Sequence, residues 1–157
     1  MNLAVYLSGG ITGLTFEEAS KWRLETASRL RAAGFRVLDP LRGKSWLSHQ
    51  EKPIGTQQYP KRNPTLSDKA LKDRDKLDVL NSDIVLVNLL DAKRVSIGTM
   101  FEVAWAEDHN KLVVAMLSKD DTVHDHAFIR ESAVVFHSLD EAVRYVISCN
   151  TEWIEKD

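Results

Sequence analysis

The sequence predicts an α/β domain built on one doubly wound, five-stranded parallel sheet. Three observations predict it. Short apolar runs alternate with segments of helical periodicity along most of the chain. The first two runs are separated by a single helix, which requires a parallel, right-handed crossover. The central run, Asp83-Ile84-Val85-Leu86-Val87-Asn88-Leu89-Leu90, is apolar almost throughout, as suits a strand covered on both faces. The 157 residues suffice for one good core, so residues 1–150 are taken as one domain and 151–157 as a tail.

Each element has its own justification. Leu3-Ala4-Val5-Tyr6-Leu7 is a strand that opens at Ser8-Gly9-Gly10 into a tight turn. Thr15-Phe16-Glu17-Glu18 has capping-box spacing, and apolar residues then recur at helical intervals to Leu30. Gly34 stands where a helix-terminating glycine belongs. Phe35-Arg36-Val37-Leu38 is the second strand, closed by Asp39-Pro40. Periodicity vanishes over residues 41–64, a long loop insertion carrying Trp46, His49, Pro53, Gly55, Tyr59, Pro60 and Pro64. Its length marks it either as a lid or pocket wall, or as a mobile insertion without chemistry. Residues 65–80 read as a helix with Leu66, Ala70, Leu77 and Leu80 inward, and they lead into the central strand. A loop over 91–97 precedes a helix through Glu102. Residues 111–117 form a fourth strand, 127–130 a short turn, and 133–136 a fifth strand. Ser138-Leu139-Asp140-Glu141 repeats the capping-box signal and starts the last helix, which runs to about Cys149. The expected strand order is 2-1-3-4-5, the flavodoxin-like arrangement.

Composition narrows the function. With 43% hydrophobic and 28% charged residues, the chain is an ordinary globular one. A net charge of -2 gives no basis for a nucleic-acid polymer or an anionic membrane as partner. No apolar run approaches a membrane span, and the N-terminus enters a strand without a basic leader, so a cytoplasmic location is expected. Neither the single cysteine, Cys149, nor the five histidines show metal-ligand spacing, so no metal is expected. The dinucleotide and Walker fingerprints are absent, and no cofactor is expected.

The stretch that carries chemistry is Ser96-Ile97-Gly98-Thr99-Met100-Phe101-Glu102-Val103-Ala104-Trp105-Ala106, a helix apolar nearly all round except for one carboxylate. Such a helix is expected to be buried on more than one side. Glu is rarely buried without a partner. Residues three and four away from Glu102 are Gly98, Thr99, Trp105 and Ala106, so mostly small neighbours leave space beside it. In an open α/β sheet a ligand binds beyond the strand ends where the order reverses. Here that crevice lies between the first and third strands. Ser8, Gly9, Gly10, Ile11 and Thr12 line one side; Asp91, Ser96, Gly98, Thr99 and Glu102 line the other. The glycines permit close approach of backbone to a ligand. Tyr6 is either core or a hydroxyl within reach of the carboxylate, and Asp75 either solvated or a second carboxylate. Two carboxylates flanking a glycosidic bond are what displacement at a sugar carbon requires.

Tyr6-Leu7-Ser8-Gly9-Gly10-Ile11, Asp75, Ser82-Asp83-Ile84-Val85 and Gly98-Thr99-Met100-Phe101-Glu102-Val103 together resemble the nucleoside 2-deoxyribosyltransferase family. The resemblance implies an enzyme in which Glu102 is the nucleophile, forming a covalent deoxyribosyl ester that a second nucleobase attacks. It implies that Tyr6 positions that carboxylate and that Asp75 faces the base. It also implies a homo-oligomer with shared active sites, the neighbour's contribution coming from His126-Ala127-Phe128-Ile129. Two positions depart from the transferase pattern. Ser96 replaces an aspartate that holds sugar hydroxyls, and His126 replaces a lent asparagine. The related deoxynucleoside 5′-monophosphate N-glycosidases share the serine, which suits a phosphate better than a carboxylate does. They also carry an arginine where this chain has Thr12, leaving Arg94 or His126 to supply charge. The expected partners are therefore a nucleoside or nucleoside 5′-monophosphate and a free nucleobase. Transfer is the first expectation, hydrolysis the second, and a non-catalytic nucleotide sensor the third.

Overall fold

In the computed structural model of the protein, which describes residues 2–50, 52–55 and 64–150, five parallel strands form one sheet in the order β2-β1-β3-β4-β5. The strands are β1 (Ala4–Gly9), β2 (Arg36–Leu38), β3 (Ile84–Asn88), β4 (Leu112–Met116) and β5 (Val134–Phe136). The helices are α1 (Phe16–Ala32), α2 (Asp68–Leu80), α3 (Ile97–Asp108), α4 (Ala127–Ser132) and α5 (Leu139–Ser148). The expected order and the parallel pairing are both present. The order reverses between β1 and β3, where Gly9 is registered with Asn88 at the strand ends.

Side chains alternate across the sheet and so divide the core in two. Val5, Leu7, Ile84, Leu86, Val114 and Met116 meet Ala27 and Leu30 of α1 and Ala142, Val143 and Val146 of α5. On the other face, Tyr6, Val85, Val87, Val113 and Ala115 meet Val79 of α2, Val103 and Ala106 of α3, and Ile129 of α4. β1 therefore presents Tyr6 and Ser8 to α3, and Val5, Leu7 and Gly9 to α1.

Several expectations need correction. The stretch after β2 is not structureless where it is described. It contains a 3-10 turn, Ser45–His49, and buries Leu41, Leu47 and Ile54 with Ala19 and Leu71 as a third apolar cluster. Ile54 exchanges backbone hydrogen bonds with the turn after β1: Gly13 N–H donates to its carbonyl and its N–H donates to Leu14. Isolated apolar residues in a loop lack a period, which is why this cluster had no sequence signature. Tyr59, Pro60 and the tail 151–157 lie outside the described residues. The helix expected from 65 is a 3-10 turn, Pro64–Leu66, followed by α2, because the Ser67 hydroxyl accepts from the Ala70 N–H and caps a new start. Leu77, expected inward, is exposed, and its neighbour Asp78 is buried instead. Asp78 is held by both terminal nitrogens of Arg42, so an ion pair replaces an apolar contact. The segment after 126 is a six-residue helix rather than a turn.

α3 is not enclosed on all sides. Thr99, Glu102, Val103 and Ala106 form its buried stripe at helical spacing, while Ile97 is 75% exposed and Phe101 53%. One stripe is all a helix needs to cover a sheet, and the apolar outer face remains uncovered in the single chain.

Candidate active site

The site is assembled by β1 and α3. Tyr6 and Ser8 are two residues apart on one strand, so both point at the same helix. Glu102 lies on the buried stripe of α3 and takes a hydrogen bond from each. The Tyr6 hydroxyl donates to Oε1 at 2.8 Å, and the Ser8 hydroxyl donates to Oε2 at 2.5 Å. Tyr6 and Ser8 are fully buried and Glu102 is 8% exposed. Burial pushes the Glu102 carboxyl up to about 7, the two hydroxyls oppose the rise, Asp75 adds to it and Arg23 opposes it. Burial also holds the Tyr6 hydroxyl well above its ordinary range, and the charge on Glu102 adds to that effect. Tyr6 therefore stays a proton donor at neutral pH. Near neutrality Glu102 is poised between acid and carboxylate, with both oxygens oriented.

Asp75 sits in the middle of α2. Arg74 donates to it at 3.0 Å, and burial raises its carboxyl above the ordinary range. Its negative charge raises the hydroxyl of Tyr6 and the carboxyl of Glu102 alike, and it makes no hydrogen bond to either. Ser96 caps α3, accepting from the Thr99 N–H at 3.3 Å. The Thr99 hydroxyl is buried with no hydrogen-bond partner among the described residues, one helical turn before Glu102. Gly98, in the same first turn, has open space where a side chain would stand.

Other expected lining residues are placed differently. The close approach at Gly9 is to protein: an added Cβ would stand 3.1 Å from the Asn88 carbonyl oxygen and 3.1 Å from the Trp22 ring. Gly10 has ordinary room for a side chain, its nearest neighbour being Leu14 at 3.8 Å. Ile11 packs against the third apolar cluster. Asp91 is exposed in a left-handed turn (φ 60°) and gives Glu102 no hydrogen bond. Thr12 is exposed, and its carbonyl accepts from Arg94 at 3.3 Å. That arginine lies so close over the turn that a Cβ on Gly13, whose φ is +87°, would meet its Nη2 at 1.9 Å. His126 caps α4, its Nδ1 accepting from the Phe128 N–H at 3.2 Å. It lines a cavity of about 370 Å³ with Val95, Met100, Val103 and Phe128, and does not join the Tyr6–Ser8–Glu102 group.

The family model described as nucleoside 2-deoxyribosyltransferase matches residues 5–143. The chain belongs to this family. It is a family of enzymes, and the match runs from Val5 in β1 through the other four strands to the middle of α5. Solved structures share the fold. A 2-deoxyribosyltransferase from Bacillus psychrosaccharolyticus has a TM-score of 0.67 at 16% identity, covering 94% of this chain and 95% of that one. A 2-desoxiribosyltransferase from Leishmania mexicana has a TM-score of 0.64 at 12% identity, with 93% and 97% covered. The CMP N-glycosidase BcmB from Clostridium botulinum has a TM-score of 0.57 at 15% identity, with 91% and 96% covered. No curated protein sequence matches the chain. No helix among the described residues is long and apolar enough to cross a membrane, and among them no three His, Cys, Asp or Glu side chains are grouped as metal ligands.

Sequence reasoning missed two groups. Asn88 closes β3 against Gly9, and Arg23 lies beneath the β1 turn. Arg23 had a legible signal: it falls on the inward stripe of α1 with Ala19, Thr26, Ala27 and Leu30.

Proposed function

We propose that the protein cleaves the N-glycosidic bond of a 2′-deoxynucleoside, or of its 5′-monophosphate, through a covalent intermediate on Glu102. The carrying observation is the pair of hydroxyls from Tyr6 and Ser8 on opposite oxygens of one buried carboxylate beside the sheet's reversal point. A carboxylate so oriented attacks the anomeric carbon from one face. The C–N bond breaks with its electron pair leaving on the base, and a glycosyl ester forms. Asp75, whose carboxyl burial raises above the ordinary carboxylate range, faces the departing base and manages its proton. A second nucleobase attacking the ester gives transfer with retention; water gives hydrolysis. Transfer is the first reading, in keeping with the family.

Hydrolysis of a 5′-monophosphate is favoured by a separate observation. Arg94 reaches from the β3–α3 loop across the turn after β1, bringing a guanidinium to Thr12 and Gly13. With the Ser96 hydroxyl at the start of α3, it offers the charge that a phosphate needs.

A shared site in a homo-oligomer also belongs to this proposal. Val95 and Phe128 are exposed beside His126, and Ile97 and Phe101 are exposed on the outer face of α3 in the single chain; a second copy would cover them.

The deciding experiment is a panel of nucleosides and 5′-monophosphates, with and without an acceptor base, followed by chromatography of free base and new nucleoside. Intact mass of protein quenched during turnover should show one added glycosyl group, absent from Glu102→Gln. Binding of substrate without any product would instead identify a nucleotide-binding protein that does no chemistry.

A further inference from the structure

We propose that Arg23 is a positioning residue of the Glu102 site: its buried guanidinium clamps the Gly9 carbonyl from beneath β1 and serves as counter-charge to the carboxylate. The inference rests on the reading of Glu102 as the reacting group.

Arg23 is fully buried on the α1 side of the sheet. Its Nη2 donates to the Gly9 carbonyl at 2.8 Å, and its Nη1 donates to the Ala19 carbonyl. The Trp22 ring lies 4.7 Å from the guanidinium carbon. Its Nε has no hydrogen-bond partner among the described residues, and the nearest carboxylate oxygen, on Asp39, is 4.0 Å from it. Arginine usually enters a protein interior with a carboxylate in bidentate contact. Here a full charge has been desolvated mainly for two neutral carbonyls. For stability alone an apolar side chain between Ala19 and Trp22 would serve better.

Its position supplies a different reason. Gly9 follows Ser8, whose hydroxyl holds Glu102. Fixing the Gly9 carbonyl therefore fixes the backbone carrying that hydroxyl. Because the peptide is planar and trans, the Gly10 N–H points away from Arg23. The charged and titratable groups around Glu102 are Tyr6 on β1, Asp75 with its Arg74 on α2, and Arg23 on α1, itself facing Asp39 beyond β2. Tyr6 is neutral and Asp75 repels the carboxylate, so Arg23 is the cation that favours it. It acts across the thickness of one strand.

The test follows the Glu102 side-chain carboxyl by 13C NMR through a pH titration, in wild type, Arg23→Met and Arg23→Lys. Arg23→Met should raise the midpoint by about half a pH unit or more, the direction expected on losing a nearby opposite charge. Arg23→Lys keeps the charge and should stay close to wild type. A midpoint unmoved in Arg23→Met, or moved equally in Arg23→Lys, overturns the proposal. Should Arg23→Met fail to fold, Arg23→Gln keeps a donor without the charge and must show the same rise. None of this needs substrate. A shifted midpoint in a protein with no turnover would refute the proposed function and leave only the charge pairing of Arg23 with Glu102 standing. In a turning-over enzyme the acid limb of kcat/KM must move by the same amount, and a purely structural arginine would not move it.

Discussion

Replacing Glu102 by Gln should make the protein more stable at alkaline pH while abolishing turnover. Glu102 has its carboxyl raised from 4.5 to about 7 in the folded state. A group raised in this way contributes nothing adverse below its unfolded value, where both states are protonated. As pH climbs from about 4.5 to 7 the unfolded carboxyl ionises freely and the folded one resists, so stability is lost through that window. Above it the loss levels off. A difference of roughly 2.5 pH units at 1.36 kcal/mol each gives an upper figure of about 3 kcal/mol. Gln resembles the protonated acid, keeps an oxygen for one hydroxyl and carries no charge to desolvate. Urea denaturation of both proteins at pH 4 and pH 8.5 isolates the effect, because other groups titrate alike in the two. Gln should match wild type at pH 4 and exceed it by about 1–3 kcal/mol at pH 8.5. Equal differences at the two pH values would refute the reasoning that Glu102 is a costly buried charge. Ala is a poorer probe: it leaves the buried Tyr6 and Ser8 hydroxyls without their acceptor, at about 1–3 kcal/mol for each unsatisfied group.

Further expectations rest on the same geometry. If ionised Glu102 is the nucleophile, kcat/KM should rise about tenfold per pH unit up to about 7 and then level, and a flat profile through pH 6 would exclude that role. Ser96→Asp preserves the cap of α3, since Asp caps as well as Ser. It sets a negative charge against any 5′-phosphate. At about 4 Å and an effective dielectric near 20 the repulsion is roughly 4 kcal/mol. Even after discounting for solvent, kcat/KM for a monophosphate should drop about tenfold or more, while a free nucleoside is spared; an unchanged ratio would mean that Ser96 does not read the 5′ end. Arg94→Gln should weaken the monophosphate by about tenfold, as loss of one charge-assisted contact implies, and leave the nucleoside alone. Sedimentation should show at least a dimer, and mixing inactive Glu102→Gln with inactive His126→Ala should restore activity through mixed sites. A fully active monomer would remove the shared-site reading.

Much of this protein was legible in one dimension. Period-two and period-3.6 apolar patterns are local, so the strands, the α1 capping box and the α5 start followed from neighbours a few residues away. The parallel order followed from helices between strands, and Glu102 stood out as one carboxylate in an apolar helix. What the sequence could not decide was which groups meet across long separations. Ser8 and Tyr6 reach Glu102 from 94 and 96 residues away, and only the pairing of β1 with β3 under α3 makes them its donors. The same holds for Arg94 over Thr12, 82 residues apart. Gly9 illustrates the difference most clearly. Its lack of a side chain reads as room for a ligand, yet the room is taken by Asn88 and Trp22. Local chemistry determined what each residue is able to do. The sheet's reversal point decided with whom, because burial and partner identity are properties of packing rather than of spacing.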